Sequence, residues 1–168
     1  MKKSKLNSIK NTFIPLLGII LLFPQIGKTQ ESAPDYEWAI SAGGPGVDYG
    51  RGISVDSQGY SYVVGDFTGT AIFGSTSLTS EGGSRDIFIA KLDENGNYIW
   101  TISIGNTGEE QVFEISTDAQ GSSYITGRFE ETVIFGNTTL ISNGSPDIFI
   151  AKLDTNGNFV WAKSAGSS

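Results

Sequence analysis

The chain repeats itself, and this internal repeat constrains its fold more than any other feature of the sequence. The letters DIFIAKLD stand at residues 86–93 and again, unchanged, at residues 147–154. ISVDSQGYSYVVGDF at residues 53–67 aligns with ISTDAQGSSYITGRF at residues 115–129. The period is marked by three tryptophans, 62 and 61 residues apart: Trp38, Trp100 and Trp161. Two direct copies of one unit predict a structure in which neighbouring units stack on each other.

Each copy has the composition of short strands joined by turns. Runs rich in β-branched and aromatic residues alternate with glycine and asparagine clusters, and Asn-Gly at residues 95–96 is a strong hairpin signal. In the first copy we expect strands at residues 52–55, 60–67, 70–73, 77–80, 86–92 and 97–104. The strand at residues 86–92 has apolar side chains on both faces, so both faces should be covered. After residue 30 no stretch has helical periodicity, so other sheets must cover them.

These patterns predict an all-β fold, a partial β-propeller of two repeat blades with about four antiparallel strands each. A β-sandwich is the alternative. We place the first β-propeller repeat at residues 38–99 and the second at residues 100–160. Residues 161–168 are either the start of a further repeat or a closing strand. Trp100 and Trp161, just past the Asn-Gly turns, should pack between blades.

The segments ISVDSQGYSYVVGDFTGTAIFG and DIFIAKLDENGNYIW, with the Trp-Ala pair before them, resemble the SBBP (seven-bladed β-propeller) repeat. The resemblance covers residues 38–161 and implies a bacterial secreted or surface repeat protein, with no catalytic residue to transfer. The second copy departs from the first at Arg128, where the first has Asp66. A closed propeller typically has four to eight blades. Three interpretations therefore stay open: a piece of a larger array, a truncated reading frame, or a unit that self-associates to complete a ring.

Residues 1–30 have the order of a signal peptide. A basic start, with Lys2 and Lys10 among its four lysines, precedes the apolar run FIPLLGIILLF at residues 13–23. This run is shorter than the roughly 20 residues that span a bilayer. We therefore expect export, a secreted or cell-surface location and no membrane span after signal removal. An uncleaved anchor or a buried helix is the alternative.

Loss of the signal peptide would leave a strongly acidic chain. From residue 29 onward there are six basic and eighteen acidic residues, a net charge of −12. Such a surface repels phosphate backbones, so nucleic acid is not expected as a partner. The partner is expected to be a protein or a glycan, or a second copy of the chain. Excess acid on a soluble surface also explains the charge without any partner.

Catalysis is not expected, because the sequence has no histidine and no cysteine, and the acids that recur in both copies fit structural roles. No cofactor is expected. The interpretation is an exported non-catalytic propeller repeat that serves as a structural, binding or adhesion module. The alternatives are a fragment of a propeller enzyme acting on extracellular glycans and a calcium-dependent adhesive module.

Two groups of residues are candidate ligand sites. Asp48 and Glu110 occupy equivalent positions on the loop before the first strand of each copy, so with Arg51 and Glu109 they are candidates for ligand binding. Solvated loop charge is the alternative. The repeated Asp-x-Asn-Gly-Asn turns offer clustered oxygens of the kind that Ca²⁺ prefers, although the same residues favour turns without a metal. The calcium candidates are Asp93, Asn95, Asn97, Asp154, Asn156 and Asn158.

Overall fold

The computed structural model describes residues 37–167, and the predicted signal peptide lies outside them. Its regular elements are twelve β-strands. The first six are β1 (Asp48–Val55), β2 (Ser61–Phe67), β3 (Thr70–Phe73), β4 (Thr76–Thr79), β5 (Asp86–Leu92) and β6 (Tyr98–Ile104). The second six are β7 (Glu110–Thr117), β8 (Ser123–Phe129), β9 (Thr132–Phe135), β10 (Thr138–Ile141), β11 (Asp147–Leu153) and β12 (Phe159–Ala165). Between residues 37 and 167 no helix has the length and apolar character of a membrane span.

The two sequence copies form two sheets of identical topology. Blade 1 has the strand order β1-β2-β5-β6, blade 2 has the order β7-β8-β11-β12, and all neighbouring strands are antiparallel. The hairpins β3-β4 and β9-β10 are inserted between the second and third strands of each blade. The predicted all-β partial propeller with four-stranded blades is therefore confirmed. The sheet boundaries differ from the predicted repeat boundaries at residues 99/100 and 160/161. Trp100 lies in β6 of blade 1 and Trp161 in β12 of blade 2, each within the last strand of its sheet.

The first strand is longer than the sequence pattern indicated. It begins at Asp48 because Tyr49 pairs with Asp66, and a bulge at Arg51 then shifts the register between Gly50 and Gly52. A bulge inserts one extra residue and breaks the alternation of side chains. The alternation resumes only after Gly52, which is why the pattern showed a strand from residue 52 alone.

Unlike faces of the two equivalent sheets meet. Tyr62, Ile87 and Ile89 of blade 1 are fully buried in one cluster with Phe149 and Leu153 of blade 2. The blade 1 counterparts of Phe149 and Leu153 point the opposite way, away from blade 2, because side chains alternate along β5. This front-to-back stacking is how consecutive propeller blades pack. All seven residues of β5 are buried, as the two-sided apolar pattern predicted.

Trp100 of blade 1 contacts blade 2 at the interface between the blades. Its ring stands edge-on to Tyr62 with centroids 6.2 Å apart, and its Nε1 donates to the Thr155 carbonyl at 3.2 Å. A Cβ on Gly157 would lie 3.3 Å from the ring, so the positive-φ glycine of the turn also gives the ring room. The predicted place of Trp100 between blades is confirmed.

Trp161 lies on the outer side of blade 2. Its ring packs on Tyr124 of its own blade at 6.3 Å, on the side of blade 2 that faces away from blade 1. Within one copy no described blade follows blade 2, so the place of Trp161 between blades stays a prediction.

Candidate functional site

A cluster of two arginines and a tyrosine surrounds one buried acid in blade 1. The side chain of Asp66 is fully buried and accepts from Arg51 Nε at 2.8 Å and Nη2 at 3.2 Å. Arg85 Nη1 approaches the second oxygen of Asp66 at 3.4 Å. Both guanidinium groups lie over the ring of Tyr49, 4.7 and 5.2 Å from its centroid. We call Tyr49, Arg51, Asp66 and Arg85 the Arg–Tyr cluster.

The fold explains how the cluster forms. Tyr49 and Asp66 are cross-strand partners in β1 and β2, and the bulge turns Arg51 onto the same side. Arg85 comes from the loop that enters β5. The bidentate hydrogen bond to Asp66 raises the pKa of Arg51, so its charge is retained at every ordinary pH. With one acid between two arginines, the cluster carries a net charge of about +1 in a chain that is otherwise acidic.

The Arg–Tyr cluster is confined to the first copy. The aligned positions of blade 2 hold Gln111, Phe113, Arg128 and Pro146, so all four members differ together. Phe113, in the place of Arg51, is 52% exposed. Residues that define the fold recur in both copies, whereas this group departs from the repeat as a set. That departure marks the cluster as the part of blade 1 that the repeat architecture does not require.

The structure separates the four predicted ligand-binding residues. Asp48 turns back onto its own loop, where Oδ2 accepts from the Gly44 amide at 2.8 Å. Its Oδ1 is buried and has no hydrogen-bond partner in the described part of the chain. Arg51 joins the Arg–Tyr cluster, and Glu109 is exposed and accepts from the Glu130 amide through its carbonyl. Glu110 contacts the cluster only through its amide, which donates to the Arg85 carbonyl at 2.9 Å.

Glu110 is a buried acid with no counter-charge. Its side chain is 0% exposed, and both carboxyl oxygens lack a side-chain hydrogen-bond partner among the described residues. Burial, with a smaller contribution from the nearby carboxylate of Asp86, raises its pKa from 4.5 to about 8. Burial likewise raises the pKa of Asp86 to about 6. Glu110 is therefore largely protonated at neutral pH, and a free ligand has no access to it.

The Asp-x-Asn-Gly-Asn turns use their oxygens internally. Asp93 Oδ1 accepts from the amides of Asn95 and Asn97 at 2.9 and 2.8 Å, and Oδ2 accepts from the Asn97 side chain at 2.9 Å. Asp154 makes the same three bonds to Asn156 and Asn158. The Asn97 side-chain bond is the main reason that the pKa of Asp93 is lowered. Over residues 37–167 no group of three acidic residues is arranged to hold a metal ion.

Three members of the Arg–Tyr cluster escaped the sequence analysis: Tyr49, Asp66 and Arg85. Their signal was present in the alignment of the two copies, where residue 66 was noted as a departure. Acids that recur on equivalent loops, such as Asp48 and Glu110, are selected by the repeat and therefore tend to be structural residues. Comparing the copies for positions that differ together would have found the cluster.

The repeated blades define a β-propeller repeat protein. Residues 37–74 match the SBBP family, which is described as a beta-propeller repeat, so the resemblance to that repeat is confirmed over these residues. An uncharacterized WD repeat-containing protein of Acanthamoeba polyphaga mimivirus is 27% identical over 140 residues, which cover 72% of this chain. The chain spans 10% of the length of that relative.

Proposed function

We propose that the chain is an exported, non-catalytic propeller repeat module that binds a carboxylate-bearing oligosaccharide at the Arg–Tyr cluster. The observation that carries the proposal is the confinement of the cluster to one of two otherwise similar blades. A position that only maintained the blade would be expected in both copies. A set that departs together, and is partly exposed, has the character of a binding surface.

The chemistry of the cluster favours a carboxylate. Two guanidinium nitrogens of Arg51 donate hydrogen bonds to Asp66. The third makes no hydrogen bond among the described residues, and the side chain is 33% exposed. Arg85 Nε is buried and has no hydrogen-bond partner among residues 37–167. Guanidinium groups recognise carboxylates by paired hydrogen bonds. Because the chain as a whole is acidic, it can attract an anion only close to the two arginines of the cluster. Short uronic acid oligosaccharides are therefore better candidates than long polyanions.

A binding role also fits the placement of the acids. Glycoside hydrolysis requires two carboxyl groups that reach the glycosidic bond from opposite sides. Glu110 and Asp86, which have the raised pKa values that such chemistry uses, are 0% and 2% exposed and lie within the packed blades. A sugar could not reach them without opening the interface.

Calorimetric titration of the full chain with trigalacturonate at low salt tests the proposal. We expect a saturable 1:1 interaction that weakens as salt is raised. Arg51→Leu should weaken it roughly tenfold or more, because a charge-assisted pair is lost. Arg128→Leu removes the same charge from the equivalent region of blade 2 and is the matched control, for which affinity should be unchanged. Equal affinity for wild type and Arg51→Leu would refute the assignment.

A further inference from the structure

The interface between the two blades indicates what could bind the two outer faces, the exposed far side of blade 2 and the partly covered far side of blade 1. In blade 1, Tyr62, Ile87 and Ile89 are fully buried against blade 2. Their counterparts in blade 2 are the same residue types, Tyr124, Ile148 and Ile150. These three are 37%, 55% and 49% exposed. Blade 2 therefore presents outward the aromatic and aliphatic groups that, one repeat earlier, form a blade–blade contact.

Cations accompany these groups. Arg128, Ile148 and Ala165 form one cross-strand row, and Lys163 pairs with Ile150 in the next. Among the described residues neither Arg128 nor Lys163 has a salt-bridge partner. We call this surface the cationic face: Tyr124, Arg128, Ile148, Ile150, Trp161 and Lys163.

The opposite side of the protein presents the matching half. Phe88, Ala90 and Leu92 of β5 correspond to Phe149, Ala151 and Leu153 of β11, on which blade 1 is seated. Over them lies a cavity of about 330 Å³. Ile53 at its edge is 61% exposed, whereas its counterpart Ile115 is 4% exposed beneath blade 1. The receiving face is made of Ile53, Val63, Phe88, Ala90 and Leu92, of which the last three are already 7%, 1% and 2% exposed in the single copy.

Residues 37–43 partly occupy the receiving face in the manner of a missing neighbour. Trp38 Nε1 donates to the Glu94 carbonyl at 2.9 Å, as Trp100 does to Thr155 in blade 2. Its ring lies over Gly96, as that of Trp100 lies over Gly157. Gly43 bonds Ile72 in both directions, but residues 39–42 make no backbone hydrogen bond to another described residue. The segment therefore occupies the position that the outer strand of a neighbouring blade would take, and it is held there by few backbone hydrogen bonds.

We propose that the cationic face of one copy docks, head to tail, on the receiving face of a second copy. The ring of Trp161 would then replace the ring of Trp38 over Gly96 of the second copy. The proposal does not depend on the oligosaccharide site. Each docked pair repeats the contact that already joins blade 1 to blade 2. Burial of Ile148 and Ile150 over the cavity supplies the apolar contribution.

Charges agree with this arrangement. At the internal interface Arg85 contacts both positions: its side chain approaches Asp66 and its carbonyl accepts from the amide of Glu110. Their counterparts across the proposed interface are Arg128 of one copy and Asp48 of the next, which have opposite charges. Asp48 has one buried oxygen without a partner. Since Lys163 replaces Ile102 and Thr126 replaces Val64, association should be weaker and more salt-dependent than an apolar contact.

A head-to-tail contact leaves one cationic and one receiving face at the ends of every assembly. Such contacts close into rings when the rotation permits, and otherwise continue as filaments. Because each copy contributes two blades, closed rings of typical propeller size would hold about two to four copies.

Sedimentation velocity of the full chain over a range of concentrations tests the proposal. We expect reversible association that weakens at high salt. Ile150→Asp on the cationic face and Ile53→Asp on the receiving face should each weaken self-association at least tenfold. Both side chains are about half exposed or more, so the fold should survive, which a thermal melt checks. Ile141→Asp, at a position 63% exposed on β10, is the matched control and should associate as wild type.

Mixing the two variants identifies the geometry. Ile150→Asp retains the receiving face and Ile53→Asp retains the cationic face, so the mixture should form a 1:1 pair that grows no further. Trp38→Ala should strengthen self-association several-fold, because it releases the seat that Trp161 needs. Monomers at all concentrations, or association lost in Ile53→Asp but intact in Ile150→Asp, would overturn the proposal, the latter indicating a contact between two receiving faces.

Discussion

At the scale of single residues, the acidic side chains divide by what satisfies them. Asp93 and Asp154 are surrounded by the amides of their own turns, which stabilise the charged form and lower the pKa of both. Asp66 is buried but neutralised by two arginines. The carboxyl group of Glu110 forms no salt bridge among the described residues, and burial raises its pKa. The first group holds the turns together, the second forms the candidate site, and Glu110 makes stability depend on pH.

Glu110 should make the protein less stable as pH rises. Its pKa of about 8 in the folded chain exceeds its ordinary value of 4.5, so between these values the folded state binds more protons than the unfolded state. Stability therefore falls through this window as pH increases. Asp86, with a pKa of about 6, adds a smaller fall from pH 3.8 upward.

Glu110→Gln should flatten this dependence and raise stability at pH 8 by about 1–3 kcal/mol, because the variant cannot become a buried charge. Urea denaturation from pH 4 to 9 measures the effect. Glu94→Gln, at an exposed position in a turn of blade 1, should leave the slope unchanged. An equal slope in wild type and Glu110→Gln would show that another group controls the pH dependence.

At the scale of elements, each blade depends on its neighbour through an outer strand and a turn. Trp100 of β6 contacts the turn before β12, and Trp38 contacts the turn before β6 in the same way. The contact combines an indole hydrogen bond to a carbonyl with a ring lying over a glycine at positive φ. Blade 1 therefore contributes the ring of Trp100 to blade 2 and receives the ring of Trp38 from the segment before it.

Trp100→Ala should cost about 2–4 kcal/mol, because it removes a half-buried ring from the blade interface and leaves the Thr155 carbonyl without its donor. Trp161→Ala is the matched control, since the ring occupies the equivalent position but lies on the free face, and should cost about 1 kcal/mol or less. Chemical denaturation at a concentration where the chain is monomeric compares the two. Similar losses in both variants would contradict the assigned role of the interface.

At the scale of the whole molecule, two blades stacked front to back leave two unlike faces open. The apolar side chains on these faces are the same residue types that are buried where the blades meet, including Ile53, Ile148 and Ile150, each about half exposed or more. Contiguous apolar surface of this kind marks interaction sites in soluble proteins. The fold thus accounts for stability inside each blade pair and directs association to its ends.

Export with loss of the N-terminus remains a prediction at this scale, since it concerns residues 1–30. Peptide mass spectrometry of the protein from an extracytoplasmic fraction should find no peptide from the first twenty residues. Changing Leu16, Leu17 and Ile19 to Asp should keep the chain inside the cell, because a signal peptide needs an apolar core. Recovery of an intact Met1 outside the cytoplasm would contradict cleavage.

The sequence by itself determined the fold class, the strands and the turns. Two copies with period-2 patterns specify which side chains share a face, and Asn-Gly pairs specify where hairpins close, so β5 was predicted at its observed bounds. These are local properties, encoded within a few residues of each other. The place of Trp100 between blades was predicted from the same repeat period, and the structure confirms it.

Only the tertiary structure decided the roles of particular polar residues. Arg51, Asp66 and Arg85 come from separate strands and loops, and a bulge whose register the sequence pattern hides brings them together. Asp48 and Glu110 are equivalent in sequence, yet Glu110 is fully buried, because blade 1 packs over blade 2 while nothing described covers blade 1 in the same way. Burial is a property of neighbours distant in the chain, and burial sets the pKa, the exposure and the available partners of each group.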